Sequence, residues 1–179
     1  MSGLETAWSW YLDTKKILQV VQRLGDRHWD DLPWDNPSLG KDEKLSILTG
    51  IDLKKKAEKA LDRLDDIAVI TLFGEFEAIV RDRVRREVET ERARLEHVVL
   101  QNAATAAIKL VDKGSFSAVL DLFKRPGSDA AELVGDVKQI REYRNWVSHG
   151  RRGEAKNRIA PKMAFDRLSR FLESLETQS

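Results

Sequence analysis

The chain contains no cysteine, and only ten glycines and four prolines occur among its 179 residues. The absence of cysteine excludes a disulfide framework, a thiol nucleophile and every thiolate metal site. Few helix-breaking residues, together with a charged fraction of 34% against roughly 25% in an average domain, indicate long helices with solvated faces. From this composition we expect a soluble, cytoplasmic protein.

Long apolar runs are also missing, since no stretch approaches the roughly 18 residues that a membrane-spanning helix needs. The first five residues lack the basic and apolar blocks of a secretory signal. The sequence therefore predicts no membrane partner. The three histidines stand far apart and form no metal-binding cluster, so we expect neither a metal nor another cofactor.

The net charge is only +1, which disfavours a wholly basic nucleic-acid binder but allows a local basic patch on an RNA-acting enzyme. In residues 81–96, arginines alternate with acidic side chains. Such a segment is either a solvated helix with many ion pairs or an RNA-facing surface. The intermixed charges favour the solvated helix, because their net field is weak.

Apolar residues recur at intervals of three and four along most of the chain, and no segment alternates as a strand does. We therefore predict an all-α fold, an antiparallel helical bundle with an N-terminal helical extension. Gly25 is predicted to stop the first helix, Ser115 to cap a short one, and Gly150 to end the helix that starts at Asp129. The last helix is predicted over 160–175, with a buried face of Met163, Leu168, Phe171, Leu172 and Leu175.

We divide the chain at residue 50, into an N-terminal helix with a Trp-rich loop over 1–50 and a helical domain over 51–179. Four of the five tryptophans fall in the first segment. The loop tryptophans Trp29 and Trp34 either tack the loop onto the body of the protein or face a partner chain. The first segment is thus a candidate dimer arm or partner-binding element.

The best candidate for a functional site is the segment Arg144-Asn145-Trp146-Val147-Ser148-His149-Gly150. Side chains three and four residues apart share a helix face, so one polar stripe contains Arg141, Arg144, Asn145, Ser148 and, at its end, His149. The arginine fork suits a phosphate, and a histidine at a helix end can give or take a proton. The predicted catalytic residues are Arg144, Asn145 and His149, and the predicted substrate-binding residues are Arg141, Ser148, Arg151 and Arg152.

Spacing alone does not mark this site. An arginine followed five residues later by a histidine occurs three times, as Arg23 with His28, Arg92 with His97 and Arg144 with His149. A histidine at a helix end is often only a capping cation. The third pair differs in context, because asparagine directly follows its arginine, glycine directly follows its histidine, and one more helix is predicted after it.

This stretch, Glu142-Tyr143-Arg144-Asn145-Trp146-Val147-Ser148-His149-Gly150, resembles the signature of the HEPN superfamily (higher eukaryotes and prokaryotes nucleotide-binding domains). That signature is an arginine, four to six residues and a histidine, often with a polar residue such as asparagine after the arginine. It falls near the end of a four- or five-helix bundle. The segment Phe73-Gly74-Glu75-Phe76-Glu77-Ala78-Ile79-Val80-Arg81 resembles an early family helix, and the resemblance covers residues 60–175.

The resemblance implies a metal-independent endoribonuclease of toxin–antitoxin, phage-defence or RNA-processing systems. His149 would help transfer the proton when a ribose 2′-hydroxyl attacks the adjacent phosphate, Arg144 would hold that phosphate, and Asn145 would orient the pair or bond to the phosphate. Because family members typically dimerise to bring two such sets into one cleft, the implied partners are RNA, a second copy of the chain, and an antitoxin or defence-system protein. Arg151 stands where one toxin branch carries the tyrosine that its antitoxin modifies, which disfavours that route of control.

Two alternatives stay open. In the first, the chain is a non-catalytic HEPN-like module that binds nucleotide or RNA, which its near-neutral charge suits. In the second, it is a helical protein-interaction module in which His149 is only a cap. The charged helix and the Trp-rich N-terminal segment would then be its partner surfaces.

Overall fold

The computed structural model describes residues 2–36, 39, 41–124, 130–152 and 156–176. Within these ranges all regular structure is helical and no strand occurs, which confirms the predicted all-α helical bundle. The α-helices found there are α1 Gly3–Arg23, α2 Glu43–Ser46, α3 Gly50–Arg94, α4 Val98–Lys113, α5 Phe116–Asp121, α6 Ala130–Ser148 and α7 Pro161–Glu176. A π-helical turn, Leu24–His28, directly follows α1.

Contacts between Cα atoms divide the chain into two compact units, one made of Met1–Ala7 with Val69–Ser179 and the other of Trp8–Ala68. Both boundaries fall inside helices, the first in α1 and the second in α3. This division reflects packing alone. The functional division at residue 50 stays a prediction.

Aromatic side chains from three helices form the centre of the larger unit. Phe76 of α3 is fully buried, and its ring meets Phe116 of α5 and Phe171 of α7 edge to face, at centroid distances of 5.9 and 5.4 Å. This geometry is the preferred one for aromatic pairs. As predicted, Ser115 caps α5, since its Oγ accepts from the Ala118 N–H at 3.3 Å.

The site helix α6 packs through buried residues that recur at intervals of three: Val134, Val137, Ile140 and Tyr143. This spacing forms one buried stripe and places Arg144 and Asn145 beside it, half-buried. Asp136 ties α6 to α7, because its carboxylate lies 2.9 Å from Arg170 and 3.4 Å from Arg167. The predicted start of this helix, Asp129, falls outside the described residues.

The prediction of Met163 as a core residue of the last helix is wrong. Pro161 stands at the first position of α7, where a backbone N–H would have no acceptor within the helix. The buried face is Pro161, Ala164, Leu168, Phe171 and Leu175, and the predicted Leu172 is only half-buried. Met163 is 43% exposed, because it lies about 100° around the helix from its neighbour Ala164.

In the smaller unit, Tyr11 of α1 packs with Leu64 and Ala68 of α3. The Tyr11 hydroxyl donates to Asp65 Oδ1 at 2.8 Å, and burial raises the pKa of this tyrosine. The loop tryptophans pack on each other, with ring centroids 4.7 Å apart and Trp34 Nε1 donating to the Trp29 carbonyl at 3.0 Å. This contact ties the loop to the end of the π-helical turn.

Gly25 does not stop the first helix as predicted, because helical backbone continues through His28 as the π-helical turn. A Cβ at Gly25 would lie 2.6 Å from the Gly50 carbonyl oxygen and 2.8 Å from the Lys54 nitrogen. The physical reason for glycine at this position is therefore a close backbone approach to the start of α3, not a turn.

Candidate functional site

The candidate segment forms the C-terminal end of α6, which closes with two backbone hydrogen bonds. The Arg151 N–H donates to the Trp146 carbonyl at 2.8 Å, and the Gly150 N–H donates to the Val147 carbonyl at 3.0 Å. This pattern is the Schellman motif, in which the residue after the C-cap adopts a left-handed backbone. Gly150 has a φ of +72°, so it ends the helix as predicted, and His149 is the C-cap residue.

Arg144 is held by three neighbours. Its guanidinium carbon lies 5.2 Å from the centroid of the Phe73 ring, within the range of a cation–π interaction. Nη1 donates to Asn145 Oδ1 at 3.0 Å, and Nη2 donates to Glu77 Oε2 at 3.5 Å. Nε is buried and meets no hydrogen-bond partner among the described residues. The side chain remains 30% exposed, so part of the fixed fork can still meet a ligand.

Glu77 is held in turn by Arg81, one turn later on α3. Arg81 donates from Nε and Nη2 to Glu77 Oε1 at 3.0 and 2.7 Å. The same guanidinium donates to the carbonyls of Val111 and Gly114, where α4 ends. Arg81, Glu77 and Arg144 thus form a chain of two cations and one anion that carries one net positive charge.

His149 presents an exposed side chain at the end of α6. Because an α-helix turns about 100° per residue, Asn145 and His149 leave it on nearly the same side, whereas Arg144 and His149 leave it about 140° apart. No hydrogen bond within the described chain joins the His149 side chain to that of Arg144 or Asn145. In one chain, the arginine faces Phe73 and Glu77 while the histidine faces solvent.

The four predicted substrate-binding residues lie around this helix end. Arg141 is half-buried about one turn before Arg144, while Ser148, Arg151 and Arg152 are exposed. The guanidinium carbon of Arg151 lies 5.6 Å from the centroid of the Trp146 ring, so this arginine is held against the helix end. The structure therefore brings Arg144 to Asn145 and Arg151 to Trp146.

The other two histidines with the same spacing after an arginine make local contacts. His28 Nδ1 lies 3.2 Å from Asp31 Oδ2. His97 caps α4, because its Nδ1 accepts from the Val99 N–H at 3.2 Å. Both contacts serve the structure of the adjoining segment, so the two histidines provide matched controls for His149.

Glu77 and Arg81 complete the site, although the polar stripe of α6 does not point to them. A signal for them exists in the sequence. The two stand four residues apart, with the acid first, which is the favourable order for a helical ion pair. Their neighbours Phe73, Phe76 and Val80 are all fully buried. This signal identifies the pair but not its partner on another helix, which the structure shows to be Arg144.

No family model, curated protein or solved structure matches this chain. None of the helices in the described ranges combines the length and the apolar character that crossing a membrane requires. In the same ranges, no group of three or more histidine and carboxylate side chains is arranged to hold a metal ion. The geometry at the end of α6 is therefore the structural basis for inferring a function.

Proposed function

We propose that this chain is a metal-independent endoribonuclease of the HEPN type, which cuts RNA through attack of a ribose 2′-hydroxyl on the adjacent phosphate. The observation that carries the proposal is the arrangement of Arg144 and His149 at the C-terminal end of α6. There, the guanidinium of Arg144 is held by an aromatic ring and two acceptors. The exposed C-cap residue His149 stands on the side of the helix that Asn145 occupies.

In the proposed reaction, Arg144 donates to a nonbridging phosphate oxygen through N–H groups that Glu77 and Asn145 do not use. Its charge stabilises the negative charge that builds on the phosphate oxygens in the transition state. One imidazole takes the proton of the 2′-hydroxyl as the new O–P bond forms, and a second protonates the 5′-oxygen as the old bond breaks. The products carry a 2′,3′-cyclic phosphate and a 5′-hydroxyl.

The second imidazole comes, in this proposal, from a second copy of the chain. One chain supplies one histidine at the end of α6, and a single imidazole does not act as base and acid in the same step. The angle of about 140° between the directions of Arg144 and His149 supports a composite site, because the two groups of one chain diverge. Arg141, Ser148, Arg151 and Arg152 would contact the RNA backbone around that site.

The cellular setting is also part of the proposal. We propose a cytoplasmic toxin or phage-defence effector with an antitoxin or defence-system partner. The support is the resemblance of residues 142–150 to the HEPN signature. Residues 1–50, with the paired Trp29 and Trp34, are the proposed dimer or partner arm.

The proposal is tested by incubating the purified full chain with a labelled single-stranded RNA in excess EDTA. We expect cleavage by the wild type and a loss of about 100-fold or more in His149→Ala, the usual effect of removing a general acid or base. His28→Ala is the matched control, because His28 also follows an arginine by five residues. This variant is expected to cleave RNA as the wild type does. RNA with 2′-O-methyl groups should stay intact. Equal cleavage by wild type and His149→Ala would reject the assignment.

One observation favours a second candidate function, the binding of RNA or a nucleotide without cleavage. In the single chain, the guanidinium of Arg144 is held in place for a phosphate, whereas no hydrogen bond in the described residues joins the exposed His149 side chain to it. In that case Arg144→Ala should weaken RNA binding in a filter assay, and no variant should cut RNA under any condition. Cleavage that depends on His149 would remove this candidate.

A further inference from the structure

Glu77 is a carboxylate placed against the arginine that the proposed function assigns to the RNA phosphate. We propose that Glu77 is a positioning residue: it sets the direction of the Arg144 guanidinium, and Arg81 holds it in place. The catalytic consequence of this inference rests on the proposed function. The structural part, the control of Arg144 by Glu77, is testable without any RNA.

The two oxygens of Glu77 have different partners. Oε1 accepts from both Nε and Nη2 of Arg81, at 3.0 and 2.7 Å, so two donors of one guanidinium engage this single oxygen. Oε2 is left to face Nη2 of Arg144 at 3.5 Å. The carboxylate therefore bridges two guanidinium groups, one on its own helix and one on α6.

Arg81 is anchored strongly enough to fix this bridge. It donates to the carbonyls of Val111 and Gly114 as well as to Glu77. Its guanidinium carbon also lies 5.3 Å from the centroid of the Phe116 ring. Backbone carbonyls cannot turn away as a side chain can, so these contacts fix the position of the Arg81 guanidinium. Arg81 in turn holds the carboxylate of Glu77 through its remaining donors.

The Arg144 guanidinium is also held by contacts on several sides. The Phe73 ring lies against its guanidinium, Asn145 accepts from Nη1, and Glu77 accepts from Nη2. Each terminal nitrogen carries two N–H groups, so one on each nitrogen remains for a phosphate. A preorganised fork of this kind loses little rotational freedom when the transition state forms.

A carboxylate beside a phosphate site could instead act by repelling phosphate. The ion pair with Arg81 argues against this, because the charge of Glu77 is already balanced by Arg81 before Arg144 is counted. The two mechanisms predict opposite kinetics. Loss of a repelling charge would strengthen RNA binding and raise kcat/KM, whereas loss of a positioning group lowers kcat and leaves KM unchanged or lower.

The kinetic experiment compares Glu77→Gln with Glu87→Gln in the RNA cleavage assay. Glu87 is a matched control, because it pairs with Arg83 four residues away on the same helix, at 2.9 Å, and its substitution changes the net charge equally. We expect Glu77→Gln to lower kcat about tenfold or more without raising KM. Glu87→Gln should stay within about twofold of the wild type, as for most exposed pairs. Glu77→Asp keeps the charge but withdraws it by one methylene, and it should resemble Glu77→Gln.

A direct readout is nitrogen-15 NMR of the arginine side chains, with the Arg144 signals assigned through Arg144→Lys. Hindered rotation about the Nε–Cζ bond of Arg144 is expected in the wild type and in Glu87→Gln, and faster rotation in Glu77→Gln. The inference is overturned if Arg144 rotates equally fast in the wild type and in Glu77→Gln, or if Glu77→Gln keeps the kcat of the control. Failure of the proposed function is a separate result: no variant would cut RNA in a His149-dependent way, while the NMR comparison would still decide the role of Glu77.

Discussion

The glycine inside the site helix, Gly135, and the glycine that follows its C-cap, Gly150, should respond in opposite directions to the same substitution. A Cβ at Gly135 or at Gly150 would meet nothing within 4 Å in the described structure, so steric clash does not distinguish them. Gly135 lies inside α6, where alanine has the higher helix propensity and restricts the unfolded chain. We expect Gly135→Ala to raise the free energy of unfolding by roughly 0.5–1 kcal/mol.

Gly150 differs because its φ is +72°. A left-handed backbone costs an L-residue about 1–2 kcal/mol, and part of that cost is offset by the restricted unfolded chain. We expect Gly150→Ala to lower the free energy of unfolding by about 1 kcal/mol, or about 2–4 °C in melting temperature for a chain of this size. Asparagine tolerates the left-handed region better, so Gly150→Asn should recover part of the loss.

Urea unfolding followed by circular dichroism measures both changes, and amide hydrogen exchange at residues 148–151 locates the second. Exchange there should quicken in Gly150→Ala and stay unchanged in Gly135→Ala. If both alanines shifted the free energy of unfolding in the same direction, the left-handed cap at Gly150 would be the wrong explanation of how α6 ends.

Three further predictions concern the core, a surface carboxylate and the site arginine. Phe76→Ala, which removes a fully buried ring, should cost about 3–5 kcal/mol in urea unfolding; a loss below about 1 kcal/mol would contradict the aromatic core described for the larger unit. Hydrogen bonds from Lys124 and Lys138 lower the pKa of Asp121 to about 2. The stabilisation that Asp121 provides should therefore be present above about pH 4 and be lost as the pH falls toward 2. Carbon-13 NMR of the Asp121 carboxyl should show a titration midpoint at about pH 2. A midpoint near 4, the ordinary value for aspartate, would refute the contact. Arg144→Lys keeps the charge but loses the fork, so kcat/KM for RNA should fall about tenfold or more, and an unchanged value would contradict the role of the fork.

The helices could be predicted from the sequence where local signals decide them. Ser115 caps α5 through its own hydroxyl, and Gly150 ends α6 through its own backbone freedom. The prediction for Gly25 is wrong because its role depends on Gly50, which approaches it from another helix. The prediction for Met163 is wrong because hydrophobicity favours methionine over its smaller neighbour Ala164, and only the packed core decides which of the two faces inward.

For the candidate site, too, the sequence predicts only what local signals decide. Arg144 and Asn145 are adjacent in sequence, and helical periodicity is enough to place them on one face with Ser148. Glu77 stands 67 residues before Arg144, and no local rule brings the two together. Their contact depends on how α3 and α6 pack against each other in the larger unit. That packing is determined by all the buried side chains of the core together.

The most direct test of the central claim is the chemistry of the RNA ends produced in EDTA, determined by mass spectrometry for the wild type and His149→Ala side by side. The proposed site predicts 2′,3′-cyclic phosphate and 5′-hydroxyl ends from the wild type and neither from His149→Ala. Ends with a 3′-hydroxyl and a 5′-phosphate, cyclic phosphate ends that persist in His149→Ala, or an absence of cleavage by the wild type would contradict it.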